Sequence, residues 1–122
     1  MDINNKNKRK TGSEGEDIAC EFLSNLGYKI IRRNYQYGHG EIDIIAKDGE
    51  EFVFVEVKYR KNLEYGAPET AVTKSKQKQL RKIAEAYIYE NKIENISCRM
   101  DVIAILQFPG EKPEITHYID AF

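Results

Sequence analysis

Cysteine and histidine are scarce in this chain: Cys20, Cys98, His39 and His117 are all there is among 122 residues. The cysteines stand far apart, with no metal-ligand spacing, so a disulfide framework is not indicated. Reduced core thiols in a cytoplasmic protein are the expectation. Two isolated histidines argue against a zinc site. A long apolar run is also missing, so no membrane span is expected, and the first residues are rich in Asn and Lys rather than built as a signal peptide. Strong net charge is missing too. With 19 Lys and Arg against 20 Asp and Glu, the net charge is −1, so any case for nucleic-acid binding must come from local patches. No internal repeat or low-complexity segment interrupts the chain beyond its first residues. The length suits one domain with its own core. Residues 1–11, with Lys6, Lys8, Arg9 and Lys10, read as a basic disordered tail, and residues 12–122 as the folded domain.

What is present centres on the stretch from Glu41 to Lys58. Two runs rich in Ile, Val and Phe flank Asp48-Gly49, a strong short signal for a β-hairpin. Yet Asp43 sits among isoleucines, and Glu56 and Lys58 interrupt a valine run. Ionised groups are costly to bury unless they are paired or bind a metal, so the stretch is a solvated edge or the floor of a site. Strand periodicity puts Phe52, Phe54, Glu56, Lys58 and Arg60 on one face, and Glu41, Asp43 and Ile45 on a face of the other arm. A two-residue loop at Asp48-Gly49 would set Asp43 opposite Phe54. A four-residue loop, Asp48 to Glu51, would set it opposite Glu56. Either register keeps Asp43, Glu56 and Lys58 within one diagonal step. Two carboxylates and an amine beside apolar neighbours suit a hard divalent cation with a positive charge next to it.

The remaining elements follow from period and punctuation. Ile18, Ala19, Phe22, Leu23 and Leu26 predict a helix over 13–26, ended by Gly27. Ser13 and Glu16 fit a capping box. Glu16 also lies at the edge of the apolar stripe, where it could face the sheet, so both roles are open to it. Residues 28–36 read as a strand with solvated Arg32 and Arg33, and Tyr37-Gly38-His39-Gly40 as a turn. A loop over 61–68, with Tyr65, Gly66 and Pro68, precedes a helix from Thr70 or Thr73 to Asn91 whose apolar stripe is Leu80, Ile83, Ala84, Tyr87 and Ile88. Its other face carries Lys74, Lys78, Arg81 and Lys82, with no acid between Thr70 and Ala84. Lys76 and Gln77 fall where they could reach toward the hairpin. Together with Arg60, these cations form the local patch that would meet phosphates. Cys98–Leu106 reads as a strand with an Arg99–Asp101 ion pair, and residues 115–119 as a short edge strand. A helix between the hairpin and the fourth strand permits a parallel crossover. The fold class is therefore α/β, a mixed sheet flanked by helices in the order αβββαββ.

Several words of this sequence resemble one family. Gly15-Glu16-Asp17-Ile18-Ala19, Asn34-Tyr35, Gly40-Glu41-Ile42-Asp43-Ile44-Ile45, Phe54-Val55-Glu56-Val57-Lys58-Tyr59-Arg60, Tyr65-Gly66 and Arg99-Met100-Asp101-Val102 look like the bacterial YraN family, over about residues 12–122. That family is described as predicted endonucleases distantly similar to Holliday junction resolvases. Asp43 followed by Glu56-Val57-Lys58 resembles the PD-(D/E)xK signature of restriction-endonuclease-like nucleases, with Ile42 where the formal motif has proline. The resemblance implies a restriction-endonuclease-like fold and a metal-dependent DNA endonuclease, with selectivity for branched DNA such as Holliday junctions as the finer expectation. It implies Mg²⁺, or Mn²⁺ in its place, held by Asp43, Glu56 and the Val57 carbonyl, with Glu16 completing the site and Lys58 acting on the attacking water or the phosphate. The resolvase relatives act as dimers, so a homodimer is a further expectation. The alternative is a nucleic-acid-binding module that keeps the fold and cleaves little or nothing.

Overall fold

In the computed structural model the backbone is described for residues 3–63 and 72–122, and the side chains for residues 13–63 and 72–122. The loop words Tyr65, Gly66 and Pro68, and the side chains of the basic N-terminal residues, lie outside the described residues. The elements are α1 (Ile3–Asn25), β1 (Lys29–Tyr37), β2 (Gly40–Asp48), β3 (Glu51–Arg60), α2 (Lys74–Glu90), β4 (Cys98–Leu106) and β5 (Glu114–Tyr118), which is the expected order. The strands form one five-stranded sheet in the spatial order β1-β2-β3-β4-β5. The β3–β4 pair is parallel, joined through α2, and the other neighbours are antiparallel.

The sheet separates two apolar layers. On one face α2 lays Leu80, Ile83, Ala84 and Tyr87 over Tyr35, Ile42, Ile45, Phe54, Met100 and Val102. On the other, Ala19 and Leu23 of α1 cover Ile44, Ala46, Val53, Val55, Ile103 and Ile105. Each helix buries one stripe of a 3.6-residue period, and β3 and β4 are covered on both faces, as a parallel pair must be. Thr73 caps α2, its Oγ1 accepting from the Lys76 N–H at 3.2 Å. That fixes the start of α2 at the later of the two expected positions.

Three local expectations are corrected. The first is the start of α1, which lies at Ile3 and not at Ser13. Ser13 is therefore inside a helix and no capping box forms there. Once the packed turns around Ala19 and Leu23 nucleate the helix, each added residue gains a hydrogen bond, and Lys6, Lys8, Arg9 and Lys10 extend it against the poorer propensity of Asn4, Asn5, Asn7, Thr11 and Gly12. The second is the hairpin turn. Asp48 pairs with Glu51, so the loop is Gly49-Glu50, with Gly49 at φ 61°. Positive φ at the first central residue alone is the type II′ pattern that matches strand twist. The third is the burial of the thiols: Cys20 is half-buried and Cys98 exposed, both free. Among the described residues no helix is long and apolar enough to cross a membrane.

Candidate active site

The hairpin does not stay zipped. Pairing of β2 with β3 runs from Asp48↔Glu51 up to Ile44↔Val55. Beyond that point β2 continues alongside β1, through Ile42↔Tyr35 to Gly40↔Tyr37, while β3 continues alongside β4, through Glu56↔Val102 to Arg60↔Leu106. The sheet forks, and Asp43 and Glu56 stand at the crotch. Side-chain alternation breaks there as well: Ile42 belongs to the layer under α2 and Ile44 to the layer under α1. Across from Asp43 in β1 stands Asn34, at φ 54°, a left-handed conformation that Asn tolerates better than most residues, while the register shift of β1 falls earlier, between Ile30 and Arg32. Asp43 thus projects toward β3 and does not share a face with Ile45. Its Oδ2 accepts the Val57 N–H at 2.8 Å, in place of a strand partner. The register beyond the turn is the one that brings Asp43 toward Glu56, not toward Phe54.

The fork opens a pocket of about 440 Å³ lined by Glu16, Glu41, Asp43, Glu56, Val57, Lys58, Tyr59, Arg60 and Lys76. It gathers every residue expected at the catalytic and metal positions. Of the cations expected to meet nucleic acid, Arg60 and Lys76 line it. Lys74, Lys78, Arg81 and Lys82 do not; they stand exposed along α2, with Arg81 over the Phe122 ring at 5.7 Å. Gln77 is not aimed at the site, since its Nε2 donates to the Val72 carbonyl at 2.8 Å. His39 is exposed in its turn.

Glu16 reaches the pocket because α1 crosses β3 at Gly15. A Cβ built on Gly15 would lie 2.7 Å from Tyr59 Cβ and 2.9 Å from Tyr59 Cγ. Those atoms are too near the backbone to swing away. Gly15→Ala should therefore push α1 off the sheet. The overpacking cost of about 1–3 kcal/mol exceeds the roughly 1 kcal/mol gained in helix propensity. Urea unfolding measures the balance, and a variant more stable than wild type would show that α1 has room to move. Arg33, expected in solvent, is half-buried. Its Nη1 donates to Asp17 at 2.7 Å and its Nη2 lies 3.5 Å from Glu16. An arginine 17 residues away in sequence leaves no local trace of that partnership.

The electrostatics are those of crowded, desolvated acids. Burial pushes the Asp43 carboxyl up to about 8, with the Glu56 charge adding to the rise and the Val57 N–H opposing it. Burial also raises Glu56 above the usual carboxylate range, against the pull of Lys76 and Lys58. Glu16 is raised by burial too, with Asn34 and Arg33 drawing it back. Carboxylates so placed are costly to ionise together without a cation among them.

Sequence reasoning leaves out one member of the site. One carboxylate oxygen from each of Glu16, Glu41 and Asp43 lies within 4.8 Å of the others, a spacing one cation could bridge. Glu56 lines the same pocket outside that triplet. The signal for Glu41 was its place two residues before Asp43 on an alternating strand.

Known proteins resemble this chain over nearly its whole length. The model of the "Uncharacterised protein family UPF0102" matches residues 15–105. A UPF0102 protein of Geotalea daltonii is 50% identical over 118 residues, covering 96% of this chain and 93% of its own length. Another, from Trichlorobacter lovleyi, is 42% identical over 100% of this chain and 97% of its own length. A third, from Caldicellulosiruptor saccharolyticus, is 46% identical over 81% of this chain and 84% of its own. The resemblance to the YraN words is thus a family relationship, and the chain belongs to the UPF0102 family.

Proposed function

We propose that this protein is a metal-dependent nuclease that hydrolyses DNA phosphodiesters at the fork between β2 and β3. The observation that carries the reading is the joining, in one pocket, of the desolvated Asp43 and Glu56 with Lys58 two residues further along the same strand. The donor set fits a hard divalent cation: oxygen ligands only, from Glu16, Glu41, Asp43 and Glu56, with Val57, whose carbonyl is the further expected ligand, lining the same pocket. Mg²⁺ or Mn²⁺ bound there would supply Lewis acidity to water and to the scissile phosphate. The chain's own groups do the rest. The Val57 N–H, 2.8 Å from Asp43 Oδ2, holds that carboxylate in the pocket. Lys58 faces the reacting phosphate and stabilises the charge that grows on it. Arg60 and Lys76 bring positive charge to the neighbouring backbone of a polyanion. Selectivity for branched DNA, and the dimer that cutting two symmetric strands would use, are the finer parts of the proposal. They rest on the likeness to junction resolvases.

The test incubates the protein with matched linear duplex, single-stranded, flap and four-way-junction DNA, in Mg²⁺, Mn²⁺ or EDTA. Cutting that needs the metal and favours the junction is the expected result. Lys58→Met should cut about 10²–10³ times more slowly, as when one transition-state donor is removed, yet keep the metal-induced rise in melting temperature. A loss of both would make Lys58 a structural residue. Binding without cutting in every metal would favour the binding-module alternative.

A further inference from the structure

A second groove lies between the end of β1 and α2. It has a volume of about 500 Å³ and is lined by Tyr37, Lys82, Glu85, Ala86, Tyr89 and Glu90. Its two aromatic rings are presented to solvent, with Tyr37 51% exposed and Tyr89 86% exposed. Exposed rings scattered singly mean nothing. These two share one concavity, with the small Ala86 between elements and a lysine at the rim.

Two further observations connect the groove to the fork. Tyr37 pairs with Gly40, and the next residue, Glu41, lines the acidic pocket. The turn between them is clamped onto α2: a Cβ on Gly40 would lie 2.7 Å from Gln79 Nε2 and 2.8 Å from Ile83 Cδ1. The groove therefore meets the fork at the β1–β2 turn, where Tyr37 lines the groove and Glu41 lines the acidic pocket. On the solvent face of α2, away from Lys76, Lys74, Lys78 and Lys82 recur at four-residue intervals, all exposed, and three- and four-residue steps carry the stripe on to Glu85 and Tyr89, which line the groove.

We propose that this groove binds single-stranded DNA, with bases stacked on Tyr37 and Tyr89 and phosphates on Lys78 and Lys82, and passes that strand across the β1–β2 turn to the fork. The inference rests on reading the fork as a nuclease site. Cationic residues that track a backbone beside aromatic platforms are how proteins hold single strands without regard to sequence. A duplex keeps its base faces inside the stack and cannot use the two rings. The acids in the groove agree with this arrangement. Glu90 is engaged by the Tyr35 hydroxyl, which donates to it at 2.6 Å. Glu85 repels phosphate, which leaves its part of the groove to bases. A flap or junction with an unpaired segment would thus be gripped in two places, at the fork and along α2.

The chain has no tryptophan, so Tyr89→Trp installs a single fluorophore at an exposed position without disturbing the core. In an Asp43→Asn background and in EDTA, nothing is cut. Oligothymidylate should quench the emission in a saturable, salt-sensitive way, while a blunt duplex of equal length leaves it unchanged. In parallel, anisotropy of labelled oligothymidylate should show Tyr37→Ala and Tyr89→Ala each weakening binding roughly 5- to 100-fold, the range expected for one lost base–aromatic stack. Duplex binding should change less than twofold. The proposal is overturned if emission stays constant at concentrations where anisotropy shows full binding, if the tyrosine variants bind as wild type does, or if single strands do not bind at all. Quenching with no cutting by the wild-type protein would keep the groove and sink the nuclease reading. Cutting of duplex with no quenching would do the reverse.

Discussion

Asp43→Asn is expected to melt higher than the wild type in the absence of metal, while losing metal-dependent cleavage altogether. The first half follows from where the carboxylate sits. Asp43 is buried beside Glu56, and its folded pKa lies at about 8, against roughly 3.9 in an unfolded chain. A carboxyl whose folded pKa is raised favours the folded state while it is protonated in both states, below the unfolded value. As pH rises, the unfolded chain gives up its proton first. Stability is lost through the window from about 4 to 8, and the full burden is present above it. Asparagine has the same shape, keeps an oxygen to accept the Val57 N–H, and never ionises. The gap between variant and wild type should therefore open across that window and level off above pH 8. There it should be on the order of a few kcal/mol, or about 10 °C in melting temperature. A variant that melts lower at pH 8 would mean that Asp43 is paired with a cation the pocket does not reveal.

The second half separates metal binding from folding. A ligand that binds only the native state raises the melting temperature by mass action. Mg²⁺ or Mn²⁺ should therefore stabilise the wild type, most at the pH where the bare site is least stable. The same ions should leave Asp43→Asn nearly unmoved, and its cleavage should fall to background. Equal metal-induced shifts in the two proteins would remove Asp43 from the ligand set even if cleavage were lost.

These effects also show what a linear sequence can carry. The hairpin, the crossover helix and the Arg99–Asp101 pair were legible because each is written in local period or short spacing. The pairing of Asp43 with Glu56 was legible as a register, one of two that the turn residues allow. The fork was not. Asp43 leaves the strand alternation across from Asn34, which takes a left-handed conformation on the neighbouring strand, and a reading of β2 alone has no access to β1. Arg33 escaped for a similar reason. Its partners come from α1, and only the close approach at Gly15 decides which α1 side chains meet the sheet. Periodicity assigns a residue to a face. It does not say where two strands part, and in this protein the candidate chemistry sits at the parting.

Asp101→Ala tests the other side of the same junction. Asp101 pairs with Val55 in the register, one step before the fork, and is fully buried under α1. It accepts from Arg99 Nε at 3.0 Å, from the Asp120 N–H at 3.0 Å, and lies 2.7 Å from His117 Nε2. Arg99 extends the network to Glu51 at 2.7 Å, Asp48 at 3.1 Å and the Tyr28 hydroxyl at 2.6 Å. One carboxylate thus joins the hairpin tip, the entry to β1, the edge strand β5 and the C-terminal turn. Burial alone would raise its pKa, but His117, Arg99 and the Asp120 N–H outweigh burial and hold it below the ordinary range. Its stabilising contribution is therefore present above the unfolded pKa and lost as pH falls through the lower, folded one. Removing one partner from a buried ionic network leaves the others uncompensated, at a cost of about 3–5 kcal/mol, a large part of a domain's 5–15 kcal/mol. Asp101→Ala should unfold at much lower urea, lose part of the wild type's acid dependence, and expose the amides of β5 to hydrogen exchange first. Asp101→Asn, which can still accept from Arg99 and Asp120, should lose less. If both variants lost under about 1 kcal/mol, Arg99 would be satisfied by Glu51 and Asp48 alone, and β5 would be held by its ladder and by Phe122 in the core.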